Sequence, residues 1–256
     1  MEEFIEEISG FKLFLDPYNG ITVDSNTIYS DKNTFEENLI LLIKELTKEN
    51  RKLLWITFDL NKSHLIPVAT KYDFTFHNCD TNYVMMVKKL IPNPIVPTSP
   101  THTVGVGAVV INENREILVI KEKVSNMGFK LPGGHIDLGE KITDAVCREV
   151  LEETGVIVEF ESIITLSQFH PHQFGKSNVY ILCNAKPKSL EINIQDTEEI
   201  LEAKWINVDD YLNDENTFEY TKEIIKSSYY YEGLKLRDLE SFKNFPKSYE
   251  LFFPNN

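Results

Sequence analysis

At 256 residues the chain exceeds one small domain and predicts two, on a prior of about 150 residues each. A hydrophobic fraction of 42% beside 26% charged residues suits a folded globular protein, and no apolar run approaches the ~18 residues of a membrane span. The net charge of −14 argues against a broad surface for long nucleic acid but leaves room for a small anionic ligand.

The acidic start MEEFIEEISG has no basic region followed by an apolar stretch, so no secretory signal is visible. Cys79, Cys147 and Cys183 lack C-x-x-C spacing and read as free thiols, most simply as small buried hydrophobes. Cytoplasm is the expected compartment, with the nucleus as the alternative.

Residues 1–92 read as a first α/β domain. Residues 11–15 and 21–23 are short strand candidates, with Pro17, Asn19 and Gly20 supplying the turn between them. A helix follows, with Thr34 as its expected cap, Glu36 and Glu37 in its first turn, and Phe35, Leu39, Leu42 and Leu46 repeating at helical spacing. The run LLWITF at 53–58 reads as a buried strand, residues 63–72 as a helix with Pro67 near its start, and residues 74–77 and 83–87 as a strand pair.

Pro92, Pro94, Pro97 and Pro100 lie close together, and proline removes backbone donors and favours extended geometry. Residues 93–102 therefore read as a semi-rigid linker, with an edge strand in one continuous domain as the rival reading.

A second domain is expected over 103–256. Residues 104–111 and 117–121 are β-branched and apolar and read as a hairpin around a turn at 112–115. Gly133-Gly134 permits a close backbone approach, and a helix is predicted from about Ile142 to Thr154, ended by Gly155. Residues 158–165, 178–185 and 203–206 are further strands, and a helical stretch begins near Asp209, with Tyr220, Ile224 and Ile225 at helical spacing and Tyr229 to Tyr231 beyond.

The predicted helix carries the chemistry. Glu149, Glu152 and Glu153 stand at i, i+3 and i+4 and so share one face spanning ~100°, while Val146, Cys147 and Val150 fall on a neighbouring arc suited to burial. Three carboxylates on one face repel unless a cation sits against them, and a hard divalent metal with oxygen ligands fits. Arg148 lies beside this face, and its planar fork suits a carboxylate where lysine would not. Glu140, in the loop before the helix, is placed to bond or bridge within the same cluster.

Written as spacing, the stretch is Gly134, five residues, Glu140, seven residues, then Arg148-Glu149-Val150-Leu151-Glu152-Glu153-Thr154-Gly155-Val156. This matches the box of the Nudix hydrolase superfamily, Gx5Ex7REUxEExGU with U a bulky aliphatic, at every specified position. The N-terminal segment, the Pro-rich join and FGKSNVYILCNAKP extend the likeness over nearly the whole chain. They resemble the Nudix proteins of this layout in animals, the antisense fibroblast-growth-factor group, and in plants, the ADP-ribose and NADH hydrolases.

The resemblance implies an α/β fold: a Nudix α/β/α sandwich with a mixed sheet, preceded by a small GNAT-like domain. The first hundred residues hold only Gly10 and Gly20 and no glycine-rich phosphate loop, so acetyl transfer is not expected there; dimerisation or substrate shaping is. The resemblance further implies Mg2+, with Mn2+ as a substitute, bound by Glu152 and Glu153, by the Gly134 carbonyl, and by Glu149 as ligand or as water-activating base. Glu198 and Glu199 occupy the place where relatives carry an extra catalytic glutamate, with Glu199 favoured and solvated loop charges as the rival reading.

For substrate, the relatives imply ADP-ribose or NADH cleaved to AMP and a phosphorylated remainder. Pro171, fifteen residues past Val156, stands where ADP-ribose pyrophosphatases place a proline. SQFHPHQFGKS resembles only loosely the NADH-type element, lacking its tryptophan and two prolines. Phe169 or Phe174 is a candidate for stacking on adenine and Lys176 for meeting a phosphate, against the rival readings of core aromatics and a solvated lysine. His135, His170 and His172 do not specify a zinc site. The competing function is a nucleotide-binding sensor or partner-binding module; RNA cap removal is disfavoured by the absence of a basic track. A homodimer is implied by the plant relatives alone.

Overall fold

The computed structural model describes residues 3–124 and 128–255. It divides into two compact units, Met1–Ser99 and Pro100–Asn256.

The first unit runs β1 (Glu3–Ile8), β2 (Phe11–Leu15), β3 (Ile21–Val23), α1 (Lys32–Lys48), β4 (Leu53–Asp59), α2 (Ile66–Lys71), β5 (Thr75–Asp80) and β6 (Tyr83–Lys89). Its sheet has the order β1-β2-β3-β4-β6-β5, with β3 parallel to β4 and the other neighbours antiparallel. Phe35, Leu39, Leu42 and Leu46 form the buried stripe of α1 and meet Leu54, Ile56 and Phe58 in one core. The opposite side of β4 buries Leu53 and Trp55 with Val87, covered by Met85 and Val96. Burial on both faces explains the unbroken apolar run of β4.

Two local expectations are corrected here. The cap of α1 is Asp31, whose Oδ1 accepts from the Thr34 backbone at 2.8 Å and from its hydroxyl at 2.7 Å, so Thr34 is a partner of the cap. The helix expected over 63–72 is split, with a 3-10 turn over Leu60–Leu65 before α2, because Pro67 falls at a helix start, where its missing N–H costs nothing.

The second unit runs β7 (His102–Val110), β8 (Glu116–Glu122), β9 (Gly133–His135), α3 (Ile142–Thr154), β10 (Val158–Phe169), β11 (Ser177–Pro187), β12 (Ile200–Asn207), α4 (Val208–Asn213), α5 (Glu219–Tyr230), β13 (Leu234–Leu236) and β14 (Phe252–Pro254). The main sheet has the order β14-β13-β10-β11-β7-β9, with β11 parallel to β7, and β12 pairs separately with β8. Side chains alternate between two helical layers, as the period of a strand dictates. Val106, Ala108 and Val110 of β7 join Ile181 and Cys183 of β11 against Ala145, Val146 and Val150 of α3. Val109 and Leu182, one residue out of phase, meet Ile224 and Ile225 of α5 with Tyr211 of α4. The result is an α/β/α sandwich with a mixed sheet.

The hairpin expected between 104–111 and 117–121 is not a paired ladder. A turn does join the strands, with Asn112 Oδ1 accepting from the Asn114 and Glu116 backbone at 2.9 and 3.0 Å. Beyond a single Ile111–Ile117 bridge, however, β7 takes β11 and β9 as neighbours and β8 takes β12. Burial of β7 on both faces makes it a central strand, which needs partners on both edges. The helical stretch expected from Asp209 is two helices, α4 and α5, and α5 runs on through Tyr229 and Tyr230.

The bounds of α3 coincide with the predicted ones, and Gly155 closes it at φ 77° with its N–H on the Leu151 carbonyl at 2.8 Å. Its start is held from far away in the chain. Lys141 supplies no capping side chain; instead the Glu250 carboxylate accepts from Ile142 N at 2.6 Å and Thr143 N at 3.2 Å. Replacing Glu250 by Ala leaves those donors without their acceptor and is expected to lower the unfolding free energy by about 1 kcal/mol in urea titrations. Unchanged stability would mean that water replaces the cap.

Candidate active site

One face of α3 presents Glu149 and Glu152, half-buried, and Glu153, buried, and one guanidinium organises the surrounding charges. Arg148 forks onto Glu140, Nε to Oε1 at 2.8 Å and Nη2 to Oε2 at 2.9 Å. Its Nη1 donates to Glu149 Oε1 at 2.9 Å and to Glu152 Oε2 at 3.0 Å, and Nη2 also reaches the His135 carbonyl at 3.0 Å. Arg148 therefore ties the helix to the loop before it and to β9. The fork holds the Glu140 carboxyl below the usual carboxylate range, and Glu140 and its neighbours push the Arg148 pKa further up.

Glu149 and Glu153 sit in drier surroundings. Burial raises the Glu149 carboxyl despite Arg148, and raises Glu153 to about 8. Glu153 is 4% exposed and its Oε2 accepts from the Gly133 N–H at 2.7 Å. Glu149 packs on the Cα of Gly134, where an added Cβ would lie 2.6 Å from Oε2. Any larger residue at 134 would displace that carboxylate.

These residues fit a hard divalent cation. Among the described residues, Glu149 Oε2, Glu152 Oε1 and Glu153 Oε1 accept no hydrogen bond, so each carboxylate keeps an oxygen to offer. The desolvation that raises Glu153 is the cost a cation would offset. Among the described residues, no three His, Cys, Asp or Glu side chains are gathered into a ready-made cluster. Arg148 and the Gly133 N–H occupy the other carboxylate oxygens.

Beside this face opens a cleft of about 630 Å³, lined among others by Gly133, Gly134 and His135 of β9 and by Phe169, Phe218 and Tyr220. Phe169 lies edge-on to Tyr220 at 6.0 Å, and the Tyr220 hydroxyl donates to Ser167 Oγ at 2.6 Å. Glu199 lines the cleft, held by its N–H on Asp196 Oδ1 at 3.1 Å and by its carbonyl, which accepts from Lys123 N at 2.8 Å. Its charge is one of those that raise Glu153. Glu198 is held by the same Asp196 oxygen at 3.2 Å but does not line the cleft.

Two other candidates lie outside the cleft. Phe174 is 97% exposed at a loop tip with φ 55°. Lys176 donates to the Pro100 carbonyl at 3.1 Å, which makes it a pin for its loop. His170 pairs with Ser177 Oγ at 3.1 Å, whereas His172 lines the cleft with its ring 6.4 Å from that of His135.

Sequence reasoning missed Glu122, Lys130 and Tyr180. Glu122 and Lys130 form an ion pair on the cleft wall. Tyr180 reads as one more strand residue, and only the register of β11 beside β7 shows where its hydroxyl falls. Burial and the charges of Glu153 and Glu149 push its pKa up.

Comparison with known proteins agrees in both units. Residues 101–227 match the family description "NUDIX domain" and residues 11–90 match "Nudix hydrolase domain". Nudix hydrolase 2 of Arabidopsis thaliana is 37% identical over 204 residues, covering 77% of this chain and 72% of its own. Nucleoside diphosphate-linked moiety X motif 6 of Homo sapiens is 33% identical over 222 residues, covering 83% and 70% respectively. The Xenopus laevis protein of that name is 37% identical over 199 residues, covering 75% and 91%.

Replacing Arg148 by Lys keeps one positive charge but loses the fork onto Glu140 and the simultaneous reach to Glu149, Glu152 and the His135 carbonyl. Steady-state kinetics are expected to show kcat/KM lowered about 10- to 100-fold. Wild-type values in that variant would reduce Arg148 to a point charge.

Proposed function

The chain belongs to the Nudix hydrolase family, and we propose that it is a magnesium-dependent pyrophosphohydrolase splitting ADP-ribose or NADH into AMP and a phosphorylated remainder. As a family member it is a hydrolase of small nucleoside diphosphate-linked substrates, and the family as a whole works with a divalent metal.

The observation that carries the proposal is the α3 face, where three carboxylates keep one free oxygen each beside a glycine-edged cleft. In this reading Glu149, Glu152 and Glu153 hold Mg2+, with Mn2+ as a substitute and the Gly134 carbonyl as a backbone contributor. The bound cation supplies Lewis acidity toward the phosphate oxygens and lowers the pKa of water. Glu199 takes the proton from the attacking water: among the described residues, of the two acidic ones that line the cleft, Glu122 is paired with Lys130 and Glu199 is not. The new bond forms between the water oxygen and one phosphorus, and the bridging P–O bond breaks with its electron pair leaving on the second phosphate. Arg148 and Glu140 keep the carboxylates oriented.

Preference for adenine-containing substrates draws support from the aromatic wall. Phe169, Phe218 and Tyr220 offer ring surface to a nucleobase, and the cleft volume lies within the ~300–1,000 Å³ usual for small-ligand sites. For the first unit we propose substrate shaping or dimerisation. Its two glycines serve turns: an added Cβ would lie 1.8 Å from the Tyr29 hydroxyl at Gly10 and 2.4 Å from Asp16 Oδ2 at Gly20, so neither is free to cradle a phosphate.

Incubation with MgCl2 and a panel of ADP-ribose, NADH, NAD+ and other nucleoside diphosphate derivatives tests the proposal. AMP is expected from ADP-ribose or NADH, and EDTA is expected to abolish its release. Binding of ADP-ribose without any cleavage would move the reading to a nucleotide sensor, and cleavage of none of the panel would remove the substrate assignment.

A further inference from the structure

Three glycines make room for one tyrosine. Tyr180 of β11 stands opposite Gly105 of β7, which in turn pairs with His135 of β9. An added Cβ at Gly105 would lie 2.7 Å from Tyr180 Cδ2, at Gly107 2.7 Å from the hydroxyl, and at Gly133 2.8 Å from it. Any side chain at these positions would drive the phenol out, so the ring lies over a strip of bare backbone with its hydroxyl beside Gly133.

That hydroxyl plays no part in holding the described residues together. Among the described residues none hydrogen-bonds it, and it is not among the polar atoms sealed from solvent without a partner. A phenylalanine would fill the ring's place equally well. The oxygen borders the cleft at Gly133, whose N–H holds Glu153, next to Gly134, on which Glu149 packs. A phenol at neutral pH is a dependable donor, and a diphosphate is rich in acceptors.

We infer that Tyr180 is a further catalytic residue, donating its hydroxyl hydrogen bond to a non-bridging oxygen of the substrate's diphosphate at the Gly133–Gly134 edge of the cleft. The inference rests on the proposed hydrolysis at this site. The bond strengthens as negative charge gathers on that oxygen during P–O cleavage, so its loss falls on kcat more than on KM.

The test compares full-length wild type with Tyr180→Phe under saturating MgCl2, using ADP-ribose and the rest of the same panel. The expected result is a kcat lower by about tenfold or more, a KM within about twofold, an unchanged thermal midpoint and unchanged Mn2+ affinity. A purely structural tyrosine predicts wild-type kcat, because phenylalanine preserves the packing; an unchanged kcat therefore overturns the inference and leaves the proposed function standing. An equal loss of Mn2+ affinity also overturns it, since the hydroxyl would then act through the carboxylates. Wild type that cleaves nothing in the panel overturns both readings.

Discussion

The contact on which the rest depends is the guanidinium of Arg148 among Glu140, Glu149 and Glu152. One positive charge holds three carboxylates within hydrogen-bond distance, and a fourth, Glu153, lies just behind at the Gly133 N–H. The local balance is negative, and burial makes it costlier, as the raised pKa values of Glu149 and Glu153 show. Such a cluster persists because the sandwich fixes its members from several directions. Glu140 also accepts the Asp137 N–H at 3.0 Å, Gly133 donates to Glu153, and α3 itself is buried through Ala145, Val146 and Val150. In the proposed function this excess of carboxylate is what a divalent cation would balance.

The sheet contributes by omission as well as by packing. Where β7, β9 and β11 meet, Gly105, Gly107, Gly133 and Gly134 leave the backbone bare, so carboxylates from α3 and an aromatic ring from β11 approach closely. Between and beyond the glycines of β7 side chains return, and Val106, Ala108 and Val109 fasten the strand to both helical layers. The start of α3 is tied down in addition by Glu250, so the segment near the C-terminal end of the chain steadies the helix that carries the charge.

Much of this was legible locally. The spacing from Gly134 through Glu140 to Arg148 and Glu153 fixed the helix, its charged face and its closing glycine, because each is a property of a few consecutive residues. Phe35, Leu39, Leu42 and Leu46 likewise identified the buried stripe of α1. What stayed hidden is non-local. The role of Tyr180 depends on the register of β11 against β7, 75 residues apart, and the Glu250 cap spans 108 residues. The β7–β8 hairpin misled because a good turn joins strands whose partners lie elsewhere, and β1 was obscured by Glu3, Glu6 and Glu7. Phe174 and Lys176 had suitable chemistry, but the loop that carries them directs one outward and uses the other as its own anchor.

The central claim is that the α3 face is a cation site held open by Arg148. The most direct measurement is the binding of Mn2+ followed by electron paramagnetic resonance, in wild type and in a Glu149→Gln/Glu152→Gln double variant whose helix content is checked by circular dichroism. The account predicts saturable binding in wild type and a loss of affinity of about a hundredfold or more in the variant, with the helix intact. Equal Mn2+ binding by both proteins would contradict it and place the cation elsewhere.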